Sequence, residues 1–137
     1  MSLEPSPRGD SLRVLIADDD VDVCALVNRV LRPIADVTAV HDAEAAIGHL
    51  AGAERYDAII ADYMLPGMNG IAFVARLRAL SIAAPVLMIS GHERLEPRLR
   101  EMAIEAGADA FLGKPFTLGQ LRATVRRLLE LAPRSLA

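Results

Sequence analysis

The chain has 137 residues, a formal charge of −3 at pH 7, and 53% hydrophobic but only 4% aromatic residues. This size suits one domain with a real core. The scarcity of aromatics leaves no stacking platform for nucleic-acid bases, and no basic stripe is present to grip DNA or anionic lipid.

Apolar runs such as Ala58–Ala61 and Val86–Ile89 are too short to cross a bilayer, and the N-terminus lacks an apolar signal core. A cytoplasmic protein without direct nucleic-acid or membrane binding is expected. The single cysteine, Cys24, cannot form an internal disulfide and falls on an apolar helical stripe, so core packing is its expected role.

Residues 1–10 carry Pro5, Pro7 and Gly9 without periodicity and are expected to form a disordered leader; residues 133–137 read as a short tail. Between them, residues 11–132 alternate short apolar runs with helical periodicity. Val14–Ala17 is followed by Val23, Leu26, Val27, Val30, Leu31 and Ile34 at helical spacing. Val37–Val40 precedes a helix through Ala43, Ala46, Ile47 and Leu50, and Ala58–Ala61 precedes one through Ile71, Val74 and Leu77. Val86–Ile89 leads to Leu99, Met102, Ala103 and Ala106, with Pro97 expected in that helix's first turn. Ala110–Leu112 leads to a helix capped by Thr117 and buried along Leu118, Leu121, Val125 and Leu128.

Each parallel crossover needs about a dozen residues, and here each receives a helix. The expected class is therefore α/β: a doubly wound five-stranded parallel sheet, flavodoxin-like (βα)5, in strand order 2-1-3-4-5, with the second and fifth strands at the edges.

In such sheets ligands bind beyond the carboxyl ends of the strands. Those ends carry Asp18-Asp19-Asp20, Asp62, Ser90-Gly91 and Lys114-Pro115, while His41-Asp42 ends the second strand at the edge. Crowded carboxylates repel unless a proton or a cation relieves them. Oxygen donors without neighbouring His or Cys favour Mg²⁺ over zinc. Lys114 is the only lysine, against fourteen arginines, and a compact ammonium can sit beside a carboxylate and a phosphoryl oxygen where a planar guanidinium fits poorly. Asp62 opens a Pro/Gly-punctuated loop, Tyr63 to Gly70, that exposes a carboxylate able to act as a nucleophile toward phosphorus.

These residues resemble the receiver domains of two-component response regulators, from Arg13 to about Ala132. The matching segments are Asp18-Asp19, Asp62 through Gly70, Ser90, and Gly107-Ala108-Asp109-Ala110-Phe111-Leu112-Gly113-Lys114-Pro115-Phe116. The resemblance implies phosphorylation of Asp62 by a partner histidine kinase or phosphotransfer protein. It implies Mg²⁺ bound by Asp19, Asp62 and the Met64 carbonyl, with Asp18 acting through water, and phosphoryl oxygens held by Ser90 and Lys114. It implies a switch through Ser90 and Phe111 that remodels the surface of helix four, strand five and helix five toward an output domain, a downstream protein or a second copy. A cis Lys114-Pro115 bond also follows from it.

The chain departs from the commonest pattern at Phe111, where tyrosine is frequent, and in the charged stretch of Glu93, Arg94, Glu96, Pro97, Arg98 and Arg100. Asp20 is read as a helix cap, and His41, His49 and His92 as solvated. Two other readings compete with the switch. An aspartyl-nucleophile phosphatase would place a second Asp two residues after the first, where Met64 stands; a phosphorylation-deaf variant has no use for the complete acidic, hydroxyl and lysine set.

Overall fold

The computed structural model describes residues 12–52, 54–91 and 96–131. The expected leader and tail, and His92, Glu93 and Arg94, lie outside the described residues. In chain order the elements are β1 (Arg13–Ala17), α1 (Val21–Leu31), β2 (Asp36–Val40), α2 (Ala43–Leu50), β3 (Ala58–Asp62), α3 (Gly70–Ala79), β4 (Val86–Ser90), α4 (Leu99–Ala106), β5 (Ala110–Gly113) and α5 (Leu118–Glu130). The strands are all parallel and lie in the order β2-β1-β3-β4-β5, as expected.

Period-two alternation divides the sheet's side chains between two faces. Leu15, Ile59, Val86 and Met88 meet Phe73, Leu77 and Leu99 beneath α2, α3 and α4. Val14, Ile16, Ile60, Leu87 and Ile89 meet Cys24, Val27, Leu31, Leu121 and Val125 beneath α1 and α5. Burying each large aliphatic side chain contributes roughly 1.5–3 kcal/mol, so these two layers dominate stability. Every residue of β3 and β4 is buried, whereas β2 and β5 each bury one, which identifies the latter pair as edges.

Side chains of the expected type start four helices. Asp20 accepts from the Asp22 and Val23 amides, Asp42 from Ala45 and Asn69 from Ala72, and Thr117 forms a reciprocal capping box with Gln120. Three expectations need correction. Ile34 lies beyond α1 in a turn, though still packed on the core. Leu118, the first residue of α5, is 47% exposed, because the buried stripe begins one turn later at Leu121. Pro97 stands ahead of α4, in a turn closed by the Leu99 amide on the Glu96 carbonyl at 3.0 Å. Arg98, with φ −90° and ψ 7°, takes the second central position of that type I turn, and proline's fixed φ suits the first.

Arg78 ties α3 to the far end of α4. Its guanidinium donates to the carbonyls of Ile82 (2.7 Å), Ala84 (2.8 Å) and Gly107 (2.8 Å) and to Asp109 Oδ2 (3.1 Å). Asp109 Oδ2 also accepts the Val86 amide at 2.9 Å. Gly107 ends α4 at φ +121°, and a Cβ there would lie 2.8 Å from Arg78 Cγ, so glycine is required on both counts. Replacing Arg78 with alanine strands several acceptors at once; urea denaturation should give a loss of roughly 2–3 kcal/mol.

Candidate phosphoacceptor site

Parallel register brings the carboxyl ends of β1, β3, β4 and β5 to one edge of the sheet. Asp18 follows β1 directly, Asp62 ends β3, Ser90 ends β4 opposite Gly113, and Lys114 follows β5. The Lys114 amide donates to the Ser90 carbonyl at 2.7 Å, which extends the β4–β5 ladder into the site. Gly70 lets the loop after β3 close tightly: its amide donates to the Tyr63 carbonyl at 2.7 Å, and a Cβ at Gly70 would lie 2.8 Å from Tyr63 Cα. Lys114-Pro115 is cis.

Asp18, Asp19 and Asp62 each present one oxygen within 4.8 Å of the others. Asp18 is fully buried and Asp62 nearly so, while Asp19 is exposed. Asp18 Oδ1 accepts the Asp20 amide at 2.9 Å, but the buried Oδ2 has no hydrogen-bond partner. Lys114 Nζ stands 3.9 Å from Asp62 Oδ1.

Burial pushes the Asp18 carboxyl up to about 6, against the pull of the Asp20 amide and with repulsion from Asp62. Burial likewise raises Asp62, opposed by the Lys114 ammonium and by a hydrogen bond from the Met64 amide. Three hard, crowded carboxylates, one of them with an orphaned buried oxygen, make a donor set that fits a small divalent cation.

Ser90 is fully buried at the end of β4. Phe111 is 4% exposed, and the Arg100 guanidinium lies 4.9 Å from its ring centroid while donating to its carbonyl at 3.3 Å. Met64 extends its side chain into solvent, 51% exposed. Cys24 is buried as expected, and burial pushes its thiol up to about 11.

Reading the sequence missed two contacts. His41 is exposed but not simply solvated: its Nδ1 lies 3.1 Å from the Asp18 carbonyl oxygen. The place of His41 at the end of the strand beside β1 was the available signal. Arg100 gave none, because its contact with Phe111 depends on how α4 lies against β5.

The family model of the response regulator receiver domain matches residues 14–126. The chain belongs to this family. Among curated relatives, this receiver is 41% identical over 122 residues to the transcriptional regulatory protein PrrA of Mycobacterium bovis, a match covering 88% of this chain and 51% of that protein. It is 34% identical to the transcriptional regulatory protein CiaR of Streptococcus pneumoniae, covering 87% of this chain and 52% of the relative. The chain thus spans about half the length of these relatives.

Among solved structures, the receiver is similar to the chemotaxis response regulator CheY4 of Vibrio cholerae, with a TM-score of 0.77 and 29% identity over 86% of this chain and 98% of that one. It is also similar to the receiver domain of the Francisella response regulator 1452, with a TM-score of 0.79 and 28% identity over 87% and 97% of the two chains. The protein is accordingly a two-component receiver, a signalling module; phosphorylation and Mg²⁺ dependence are general properties of the family. Among the described residues no helix is long and apolar enough to cross a membrane.

Proposed function

We propose that this receiver accepts a phosphoryl group on Asp62 from a sensor histidine kinase or phosphotransfer protein in the cytoplasm, and that this switches a protein-binding surface. The observation that carries the reading is the convergence of Asp18, Asp19 and Asp62 within 4.8 Å, with Lys114 3.9 Å from Asp62.

An Asp62 carboxylate oxygen attacks phosphorus in line; the P–N bond of the donor phosphohistidine breaks, the freed imidazole keeps the electron pair, and an acyl phosphate forms. Lys114 contributes an ammonium beside the oxygen that receives charge, and the Ser90 hydroxyl donates to a phosphoryl oxygen. Asp19, Asp62 and the Met64 carbonyl would hold Mg²⁺, with Asp18 reaching it through water. When bound, the ion neutralises the acidic cluster and the incoming phosphoryl charge. Water attack on the acyl phosphate later resets Asp62, so the chain catalyses only its own phosphorylation and hydrolysis.

Ser90 and the buried Phe111 couple the site to α4, β5 and α5. That face engages an output domain, a downstream protein or a second copy of the chain, without direct contact to nucleic acid.

Incubation with acetyl phosphate and Mg²⁺ should add the mass of one phosphoryl group to the intact chain and none to Asp62→Asn. An adduct that persists in that variant, or no adduct on the parent chain, overturns the assignment.

A further inference from the structure

Asp18 is held by groups from three parts of the fold. Its amide donates to the Val40 carbonyl at the end of β2, at 3.0 Å. Its Oδ1 is taken by the Asp20 amide at 2.9 Å. Its carbonyl oxygen lies 3.1 Å from His41 Nδ1, in the loop after β2, and accepts from Cys24 Sγ, in α1, at 3.4 Å. Of the polar atoms of Asp18, Oδ2 alone has no partner, and it is buried.

A carbonyl oxygen can only accept, so the His41 contact requires a proton on Nδ1. A neutral imidazole in that tautomer and an imidazolium both carry it.

We infer that His41 is a positioning residue for the acidic pair: with Cys24 it clamps the Asp18 carbonyl, fixing the direction in which Asp18 Oδ2 and the adjoining Asp19 carboxylate meet a divalent cation. The geometry supports this in two ways. The peptide that joins Asp18 to Asp19 is the one whose oxygen the clamp holds, so rotating that peptide would move the start of the Asp19 residue directly. Two donors from separate elements also leave the carbonyl with both of its acceptor directions engaged. Partners one bond removed from metal-binding groups act in this manner, by restricting orientation without touching the ion.

The inference rests on the divalent-cation site proposed above, and calorimetric titration of the full chain with MgCl₂ tests both separately. His41→Ala should weaken Mg²⁺ affinity about three- to tenfold, at or below the low end of losses for such outer partners. His41→Asn places an amide N–H where Nδ1–H was and should recover most of that affinity. Cys24→Ala should weaken binding and Cys24→Ser restore it, which separates the loss of a donor from the loss of volume. Thermal midpoints without metal provide the structural readout: an alanine variant that loses affinity while melting with the parent supports positioning.

Equal Mg²⁺ affinity in His41→Ala and the parent overturns the inference and leaves the cation site standing. Failure of His41→Asn to recover any affinity also overturns it. A parent chain that binds no Mg²⁺ overturns both.

Discussion

Lys114→Ala should slow phosphorylation of Asp62 by acetyl phosphate at saturating Mg²⁺ by roughly a hundredfold or more, the scale expected when one preorganised charge partner is removed from a developing oxyanion. The ammonium stands 3.9 Å from Asp62 Oδ1, at the outer limit of a direct ion pair, with its side chain 33% exposed. In the resting site its attraction is therefore partly screened. As charge gathers on a phosphoryl oxygen and water is excluded, the same ammonium becomes worth more, which makes its effect fall chiefly on the rate. Lys114→Arg keeps the charge but spreads it over a planar fork and should recover only part of the rate. Single-turnover phosphorylation followed by intact mass separates the cases, and a Lys114→Ala rate within threefold of the parent would remove Lys114 from the proposed chemistry.

Asp18→Asn should stabilise the metal-free fold at pH 7.5 by roughly 1–3 kcal/mol while weakening the response to Mg²⁺. The Asp18 carboxyl titrates at about 6 in the fold against 3.8 in its ordinary state, chiefly through burial. Between those pH values the folded chain holds more protons than the unfolded one, so the stability attributable to Asp18 falls as pH rises through this window. The penalty is complete above about 6 and absent below 3.8.

Asparagine removes the penalty. Its Oδ1 can still accept the Asp20 amide, and its new N–H₂ donors replace the orphaned Oδ2. The parent–variant gap, measured by urea denaturation in EDTA, should accordingly close between pH 7.5 and pH 4. A gap that widens on acidification contradicts the raised carboxyl. With Mg²⁺ the order should reverse, because a ligand bound only by the folded chain stabilises it by mass action, by about 2.7 kcal/mol at a hundred times its dissociation constant.

Much of this molecule is determined by local chemistry. The two face-specific core layers follow from alternation in five short apolar runs, and the helix starts follow from Asp20, Asp42, Asn69 and Thr117, whose side chains reach amides two or three residues on. The acidic, hydroxyl and lysine residues could be assigned to one edge because parallel strands all end on the same side. Where local pattern was followed too far, the error fell at element ends: α1 stops before Ile34, the buried stripe of α5 begins one turn after Leu118, and proline's fixed φ places Pro97 in the turn ahead of α4.

The tertiary structure decided what periodicity does not encode. Asp18 and Asp19 are adjacent in sequence, yet one is fully buried and the other exposed, and that burial is what raises the Asp18 carboxyl. His41 reaches the Asp18 carbonyl and Arg100 covers Phe111 only because non-adjacent segments are packed side by side. The place of Asp62 at the shared strand ends could be read from the chain alone; how strongly the neighbouring carboxylates and ammonium act on it depends on burial and distance, which arise from the packing of the whole chain.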